Sequence, residues 1–526
     1  MTELNYTPPG SVRGDANYAD YLALWHLFEI GVVTDLDFNS EGWDLAEKRE
    51  GESYPPTRVA LIDVSVAYHH PNLVGAINTD LMIDFFSARL GTFPKPSQTD
   101  PFTPGAAQNM AAPLGLGPIG ELFLELTAHL PDEYIAARGP WDQRQRVLPT
   151  TSADFSAHGT AMAGLIGARP KGKDEVEFVV PSRIPLSEED GTDIDLPPAK
   201  LPAGPSLPFA GVDPFCEIVP ISTSFDPDPE QLILTLLYAW IIGADIIVLA
   251  RDFPDPLRSA ITGRRDNGKV LPEEREALLK AYPCELTERE LELWDALHDL
   301  VLKISETIPV VCAAGNGYDD SMIYPASLAA PPVSAAEAQN GKGNGIIAVG
   351  ARAATRQRAA YSTTSTQSAP ISIYAPSGDG ERLDVGMQRL DTLDPEFRPF
   401  DQADSYAGQL NVEYTGASTM PHPIDESTYS TQPVISTDVP GAAGYNNSPF
   451  PYATNDVGAI FDYRSYYCDF SGTSAACAMT AGMLSLAYSA GKIPKGNGSL
   501  AKTLLRGGTA PVDDTAGTPV LRWSVL

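Results

Sequence analysis

Four side chains in this 526-residue chain could together run one reaction, although they lie far apart in sequence: Asp63, His158, Asn316 and Ser474. A serine hydroxyl is a weak nucleophile at neutral pH and needs a base that takes its proton and later protonates a leaving group. A histidine does this, and a buried carboxylate fixes its tautomer and stabilises the cation it becomes. Negative charge then grows on the attacked carbonyl oxygen, where an asparagine amide and the serine's own N–H could receive it. Each residue also has a plainer role by itself. Asp63 suits a turn at a strand end, Asn316 suits a turn, a lone histidine is more often structural, and Thr473 or Ser474 suits a helix N-cap. Joint placement is what separates the two.

The elements that would place them can be read from the local pattern. Val59–Ser65 carries four apolar residues before Asp63, which predicts a central parallel strand with the carboxylate at its C-terminal tip. His158-Gly159-Thr160 opens a run of small residues expected to be a helix. Ile308–Ala313 predicts a strand that ends in the Gly-rich turn Gly315-Asn316-Gly317. Gly472-Thr473-Ser474 begins a long, almost uncharged run, read as a buried helix whose first turn offers free N–H groups and the positive dipole pole. Between these, strands at 218–221 and 246–250 flank a helix from Glu230 to Ile242 closed by Gly243, a βαβ unit with a right-handed crossover. Helices are further expected at about 18–30, 119–130 and 290–305, and strands at 346–349, 371–375 and 434–437. Tyr324-Pro325-Ala326 is a tight turn suited to a cis peptide. The fold class is therefore α/β, with a parallel sheet. No fixed-period repeat is present, and neither 315–317 nor 341–345 has phosphate-loop spacing.

Bulk properties narrow the function. A formal net charge of -32 argues against nucleic-acid binding and favours a basic substrate or partner, or serves only solubility. Five cysteines without CxxC spacing suggest neither a disulfide framework nor a zinc or redox site; Cys312 and Cys477 sit in apolar runs and read as buried small hydrophobes. No Asp/Glu loop has calcium-site spacing, so no metal and no cofactor are expected. The first residues lack a basic and an apolar signal region, and no stretch is long enough for a membrane span; a cytoplasmic location is expected. His26, His69, His70, His129, His298 and His422 have no comparable setting and are read as ordinary.

At these residues the chain resembles the subtilisin-like serine peptidases. The order Asp, His, Ser is theirs, as are the segments around Asp63, His158-Gly159-Thr160, Ala313-Ala314-Gly315-Asn316 and Gly472-Thr473-Ser474. Gly243-Ala244-Asp245, Tyr324-Pro325 and Ile347-Ala348-Val349-Gly350 fall between them in the right order. The resemblance implies a doubly wound parallel sheet flanked by helices, and endopeptidase activity on a protein or peptide bound as an extended strand at a sheet edge. It implies Asp63, His158 and Ser474 as the catalytic triad, Asn316 as oxyanion donor, and Ala250, Arg251, Asp252 and Gly315 as substrate-binding residues.

Departures from the family pattern are Ser65 for Gly, Ala161 for a second His, Ala478 for Pro, and Ala250-Arg251-Asp252 for the common Ser-Leu-Gly. Asp252, with Asp319 and Asp320, could favour a basic side chain before the scissile bond, or these acids could be solvated rim residues. Only 62 residues precede Asp63, so no full prodomain is expected. Residues 1–50 are expected as an extension packing on a catalytic domain over 51–526, with insertions at about 80–149, 170–214, 255–288 and 379–432. One of these insertions, or a regulatory protein partner, is a candidate restraint on activity. A catalytically silent scaffold that binds a peptide or partner is the alternative.

Overall fold

The computed structural model describes residues 24–34, 39–84, 157–170, 209–258, 272–317, 321–378, 434–439, 444–445, 466–507 and 518–526, a few positions inside these ranges aside, and two short strands at 183–185 and 193–195. In chain order the helices are α1 (Trp25–Glu29), α2 (Glu41–Gly51), α3 (His158–Gly167), α4 (Pro229–Ile241), α5 (Pro272–Ala281), α6 (Glu288–Ser305), α7 (Ala335–Gln339), α8 (Gly472–Ser489) and α9 (Gly498–Arg506). The strands are β1 (Arg58–Asp63), β2 (Ile83–Asp84), β3 (Arg183–Pro185), β4 (Asp193–Asp195), β5 (Glu217–Ser222), β6 (Ile246–Leu249), β7 (Val310–Ala313), β8 (Ile346–Arg352), β9 (Ile373–Pro376), β10 (Ile435–Thr437) and β11 (Tyr467–Asp469).

Seven strands form one sheet in the order β2-β5-β1-β6-β7-β8-β9, and every pairing in it is parallel. Alternation within the strands sorts their side chains between two layers. Val59 and Leu61 of β1, Val248 of β6, Val311 of β7 and Val349 of β8 join the core beneath α3 and α8. Ala60 and Ile62, Leu249, Cys312 and Ala348 join the core beneath α4 and α6 on the other face. Burial on both faces is why these strands read as unbroken apolar runs rather than alternating ones. The chain runs from β1 to the edge strand β2, comes back to β5 and then passes β1 to β6, so the order reverses beside β1, where ligands of open α/β sheets bind.

The helices follow from their ends and faces. Asp228 caps α4 by accepting from Gln231 N, with Pro229 in its first turn. Thr287 caps α6, whose Leu291, Trp294, Leu297, Val301 and Ile304 form the buried stripe. Helix α8 has no charged residue in its 18 positions, and Gly472 through Tyr488 are all buried. It packs on the sheet beside α3 and against α2, a place where any charge would be desolvated without a partner.

Several boundaries differ from expectation. The first helix is described only over Trp25–Glu29; residues 18–23 of the expected span, and the whole of the helix expected at 119–130, lie outside the described residues. Ile83–Asp84, within the insertion expected at about 80–149, pairs with β5 in the sheet. The expected insertion at 170–214 is corrected at its end: Phe209, Ala210, Val212 and Asp213 are completely buried, and Gly211, Val212 and Asp213 donate backbone bonds to Ala168, Leu165 and Ile166. Their apolar side chains are needed to close the end of α3, which the surrounding Pro and acidic residues concealed. Residues 193–195 and 183–185 also pair as an antiparallel ribbon within that stretch. In the charged stretch 255–288, Arg258 and Asp255 form a fully buried ion pair at 2.8 Å, and Leu257 and Leu278 pack with Leu291 of α6. The strand expected at 434–437 is β10, which pairs antiparallel with β11 outside the main sheet. Residues 379–433 lie outside the described residues. The Tyr324-Pro325 peptide is cis.

Candidate active site

Strand β1 ends on Asp63, which is 3% exposed. Its Oδ1 accepts from the Val64 N–H at 2.7 Å, and both carboxylate oxygens face His158 Nδ1, at 3.0 and 2.8 Å. Burial works to raise the Asp63 pKa. The His158 ring beside it, with its hydrogen bond, the Arg251 guanidinium and the Val64 N–H together hold it below the ordinary carboxylate value. A carboxylate acceptor makes Nδ1 the protonated nitrogen of a neutral His158, which leaves Nε2 as the acceptor.

His158 is the first residue of α3, and the residues after it explain its position. A Cβ on Gly159 would lie 2.2 Å from the Ser65 carbonyl oxygen, so only glycine lets the helix start come this close to the end of β1. Thr160 Oγ1 accepts from Ala67 N at 2.9 Å, tying the same two segments together. The Phe470 ring meets the His158 ring edge-on, with centroids 5.3 Å apart.

Opposite stands the first turn of α8. Its N-cap is Ser471, so neither Thr473 nor Ser474 has the N-cap role open to it from sequence alone. Gly472 has φ +83, and a Cβ there would approach Asn316 Nδ2 to 3.1 Å. The Gly472 N–H donates to Tyr361 Oη at 2.9 Å, and the Gly472 carbonyl accepts from the Ser377 hydroxyl at 3.0 Å. The Thr473 N–H and hydroxyl both donate to Asn316 Oδ1, at 2.8 and 2.9 Å, while Thr473 Oγ1 accepts from the Gly315 N–H at 3.1 Å. An N–H donor identifies the bonded atom of Asn316 as its oxygen and fixes the orientation of the amide. The Ser474 N–H has no acceptor among the described residues, and the Ser474 hydroxyl donates to the Ala250 carbonyl at 3.3 Å. No hydrogen bond joins the Ser474 hydroxyl to His158 among the described residues.

All eight residues singled out in the sequence, Asp63, His158, Ser474, Asn316, Gly315, Ala250, Arg251 and Asp252, line one cleft of about 210 Å³ at the C-terminal edge of the sheet. The Subtilase family (peptidase S8) profile matches residues 56–507. The chain belongs to the subtilase family. It is a subtilisin-like serine endopeptidase by that membership, and its substrate is a protein or peptide. No curated protein sequence matches the chain. Solved structures similar to it include a cold-adapted subtilisin-like serine proteinase, at 13% identity and a TM-score of 0.39, over 95% of this chain and 97% of that one. Fervidolysin from Fervidobacterium pennivorans, a keratinolytic enzyme, shares 15% identity at a TM-score of 0.41, over 95% of this chain and 45% of its own. The nisin leader peptidase NisP from Lactococcus lactis shares 14% identity at a TM-score of 0.39, over 92% of both chains.

Within this subtilase the departures from the common pattern have distinct settings. Ala478 is buried within an unbroken α8, and Ala161 lies under β10, where its carbonyl accepts from Ser436 Oγ at 2.6 Å. The Asp252 carboxylate accepts from the Tyr324 N–H at 2.9 Å, so one of its oxygens braces the cis turn. Arg251 reaches over the end of β1 to β5, donating to the Ser224 carbonyl at 2.7 Å and to Thr223 Oγ1. Asp319 and Asp320 lie outside the described residues. Tyr361, Ser377 and Phe470, which with Thr473 hold the four chemical groups in place, carry no local signal of that role in the sequence. Burial raises the thiol pKa values of Cys312 and Cys477, so neither is a reactive thiolate. Among the described residues no His, Cys, Asp and Glu group could hold a metal ion, and no helix is long and apolar enough to cross a membrane.

Proposed function

We propose that Ser474 is the nucleophile of this peptidase, His158 its general base and then acid, Asp63 the orienting carboxylate, and Asn316 with the Ser474 N–H the oxyanion donors. The observation that carries this assignment is the His158 Nδ1 contact with both Asp63 oxygens in a cleft shared with Ser474 and Asn316. Rotation of Ser474 about χ1 moves its hydroxyl from the Ala250 carbonyl toward His158 Nε2 when substrate enters. Oγ then attacks the scissile carbonyl carbon while its proton passes to Nε2, and the imidazolium is stabilised by Asp63. The carbonyl π bond opens to an oxyanion, which the Ser474 N–H and the Asn316 amide receive. Collapse of that intermediate expels the amine, which takes the proton from Nε2. Water, deprotonated by the same nitrogen, releases the acyl group and restores Ser474.

The Ser474 rotamer on Ala250 favours one second reading, a silent scaffold that keeps the fold to bind a peptide or partner. A fluorophosphonate probe separates the two. Labelling of the wild-type chain and not of Ser474→Ala supports the peptidase; a chain that resists the probe and cleaves no peptide supports the scaffold. We further propose that an insertion or a regulatory partner governs access to the cleft. Deletion of 379–432 with no change in cleavage or in partner dependence would remove that insertion from consideration.

A further inference from the structure

The first peptide unit of α8 is held from both sides. Its N–H, on Thr473, donates to Asn316 Oδ1 at 2.8 Å, and its carbonyl, on Gly472, accepts from the Ser377 hydroxyl at 3.0 Å. The Gly472 N–H donates to Tyr361 Oη at 2.9 Å, and Tyr361 Oη in turn lies 2.7 Å from both Ser377 Oγ and the Gly378 carbonyl oxygen. These contacts close a ring that leaves Gly472 by its N–H, passes two hydroxyls and returns to its carbonyl. Tyr361 is 1% exposed and Ser377 0%, and neither lines the cleft, so neither hydroxyl touches a substrate.

Both groups that would receive an oxyanion depend on this one peptide unit. Asn316 Oδ1 takes the Thr473 N–H and hydroxyl, which sets where its Nδ2 points. The Ser474 N–H is one residue further along the same turn. Gly472, at φ +83, has no Cβ to oppose rotation of the plane, and a rotation would pull the Thr473 N–H from Asn316 and re-aim the Ser474 N–H together. The ring resists that rotation from the end of the sheet. Ser377 follows β9 and its N–H donates to the Arg352 carbonyl at 2.8 Å; two residues beyond Tyr361, the Thr363 N–H donates to the Gly315 carbonyl at 3.0 Å, next to Asn316. Resting on the peptidase reading above, we propose that Tyr361 and Ser377 are positioning residues of the oxyanion hole, acting through the Gly472–Thr473 peptide on the Asn316 amide and the Ser474 N–H at once. Such donors favour the transition state only when preset at the place the oxyanion will occupy. The ring therefore acts on kcat and leaves substrate binding alone.

The test compares Tyr361→Phe, Ser377→Ala and the double variant with wild type in steady-state cleavage of one peptide. Tyr361→Phe is expected to lower kcat by about 10-fold and Ser377→Ala by about 3- to 10-fold, with KM within about 2-fold of wild type. Either change opens the ring, so the double variant should fall no further than the worse single one. Inhibition by a peptide aldehyde, whose adduct with Ser474 places an oxygen on the same donors, should weaken by the factor lost from kcat/KM. In an Asn316→Ala background most of the Tyr361→Phe effect should vanish, because the amide it aims is gone. Urea unfolding reports whether each variant is folded, and Ser377→Ala, which removes a single oxygen, decides the matter if Tyr361→Phe does not fold. Stability lost with kcat unchanged, or losses that multiply through the double variant and the Asn316→Ala background, would confine Tyr361 and Ser377 to the packing of α8; the proposal then falls and the peptidase stands. If wild type is neither labelled by the fluorophosphonate nor active on any peptide, both fall.

Discussion

Helix α8 has a buried carboxylate near each end, Asp63 beside its first turn and Asp213 beside its last two. Both are withdrawn from water, at 3% and 0% exposure, and burial alone would raise the pKa of either. They differ in what surrounds them. Asp63 has the His158 ring and the Arg251 guanidinium, and its pKa is held below the ordinary value. Asp213 has chiefly hydroxyls and an amide: Ser485 Oγ donates to its Oδ2 at 2.6 Å, Ser489 Oγ at 2.9 Å, and the Phe215 N–H to its Oδ1 at 3.1 Å, with Arg169 a weaker influence. Its pKa is pushed up to about 6. Hydrogen bonds make burial tolerable, but a cationic neighbour is what keeps a buried carboxylate charged across the neutral range. One end of the helix is thus equipped for charge that moves, and the other for joining the helix to the loop at 209–216.

The largest expected effect breaks this comparison at its charged end. Asp63→Asn should lower kcat by about 10⁴-fold, because an amide presents the wrong hydrogen-bonding face to His158 and does not stabilise the imidazolium. Unfolding in urea should shift far less. Asp213→Asn should do the reverse, leaving kcat close to wild type and changing the dependence of stability on pH. The folded pKa of Asp213 is raised, to about 6 from 3.8, so its contribution is fully present below pH 3.8 and is lost as pH rises through 6. At pH 7 the charged form costs up to about 3 kcal/mol, which the amide would recover if it keeps the Ser485 and Ser489 bonds. His26 acts in the opposite sense, since burial lowers its pKa to about 3 and its contribution, present above 6.5, is lost as pH falls toward 3. The Asp213 effect is therefore read as the difference between variant and wild type across pH 3.5–7. A large fall in kcat for Asp213→Asn would show that the two ends are not separable.

Thr473 tests how the end of α8 at the proposed catalytic site is held. Thr473→Val keeps the shape of the side chain but removes the hydroxyl that donates to Asn316 and accepts from Gly315. The Thr473 N–H bond to Asn316 survives, so the amide keeps one of its two anchors. A fall in kcat of about 10-fold with little change in KM is expected, smaller than the ~10²- to 10³-fold loss from removing an oxyanion donor outright. Steady-state kinetics on one peptide, with Asn316→Ala beside it, would place the effect. Equal losses in the two variants would mean that Thr473 does more than orient the amide.

How legible these regions are in sequence follows the same division. Asp63, His158, Asn316 and Ser474 announce themselves because each stands at the edge of an element whose pattern is local, an apolar strand or a run of small residues. The strands β1, β6, β7 and β8 are legible for the same reason, being buried on both faces. Asp213 and Ser485 are 272 residues apart and meet only through the packing of α8, so no window of sequence holds both. Tyr361 and Ser377, which clamp Gly472, are equally remote from it. Phe209 and Val212 were hidden inside a Pro-rich, acidic stretch whose average composition is that of a solvated loop. Asp252 was conspicuous as an acid in the cleft wall, but its bond to Tyr324 depends on the folded turn.

The smallest effect sharpens the comparison at the neutral end. The Ser489 hydroxyl donates to Asp213 Oδ2 and lies 3.0 Å from Thr57 Oγ1, at the chain entry to β1. Ser489→Ala removes one of the hydrogen bonds that favour the charged form, so the Asp213 pKa should rise further above 6. At pH 7.5 the variant should be less stable by about 1 kcal/mol, the usual net worth of one such bond. At pH 4.5 the carboxyl is already largely protonated in both proteins, and the difference should shrink. Urea unfolding at the two pH values measures this directly. An equal loss at both would assign Ser489 to the Thr57 contact and not to the charge on Asp213, and the far end of α8 would then owe its stability to packing alone.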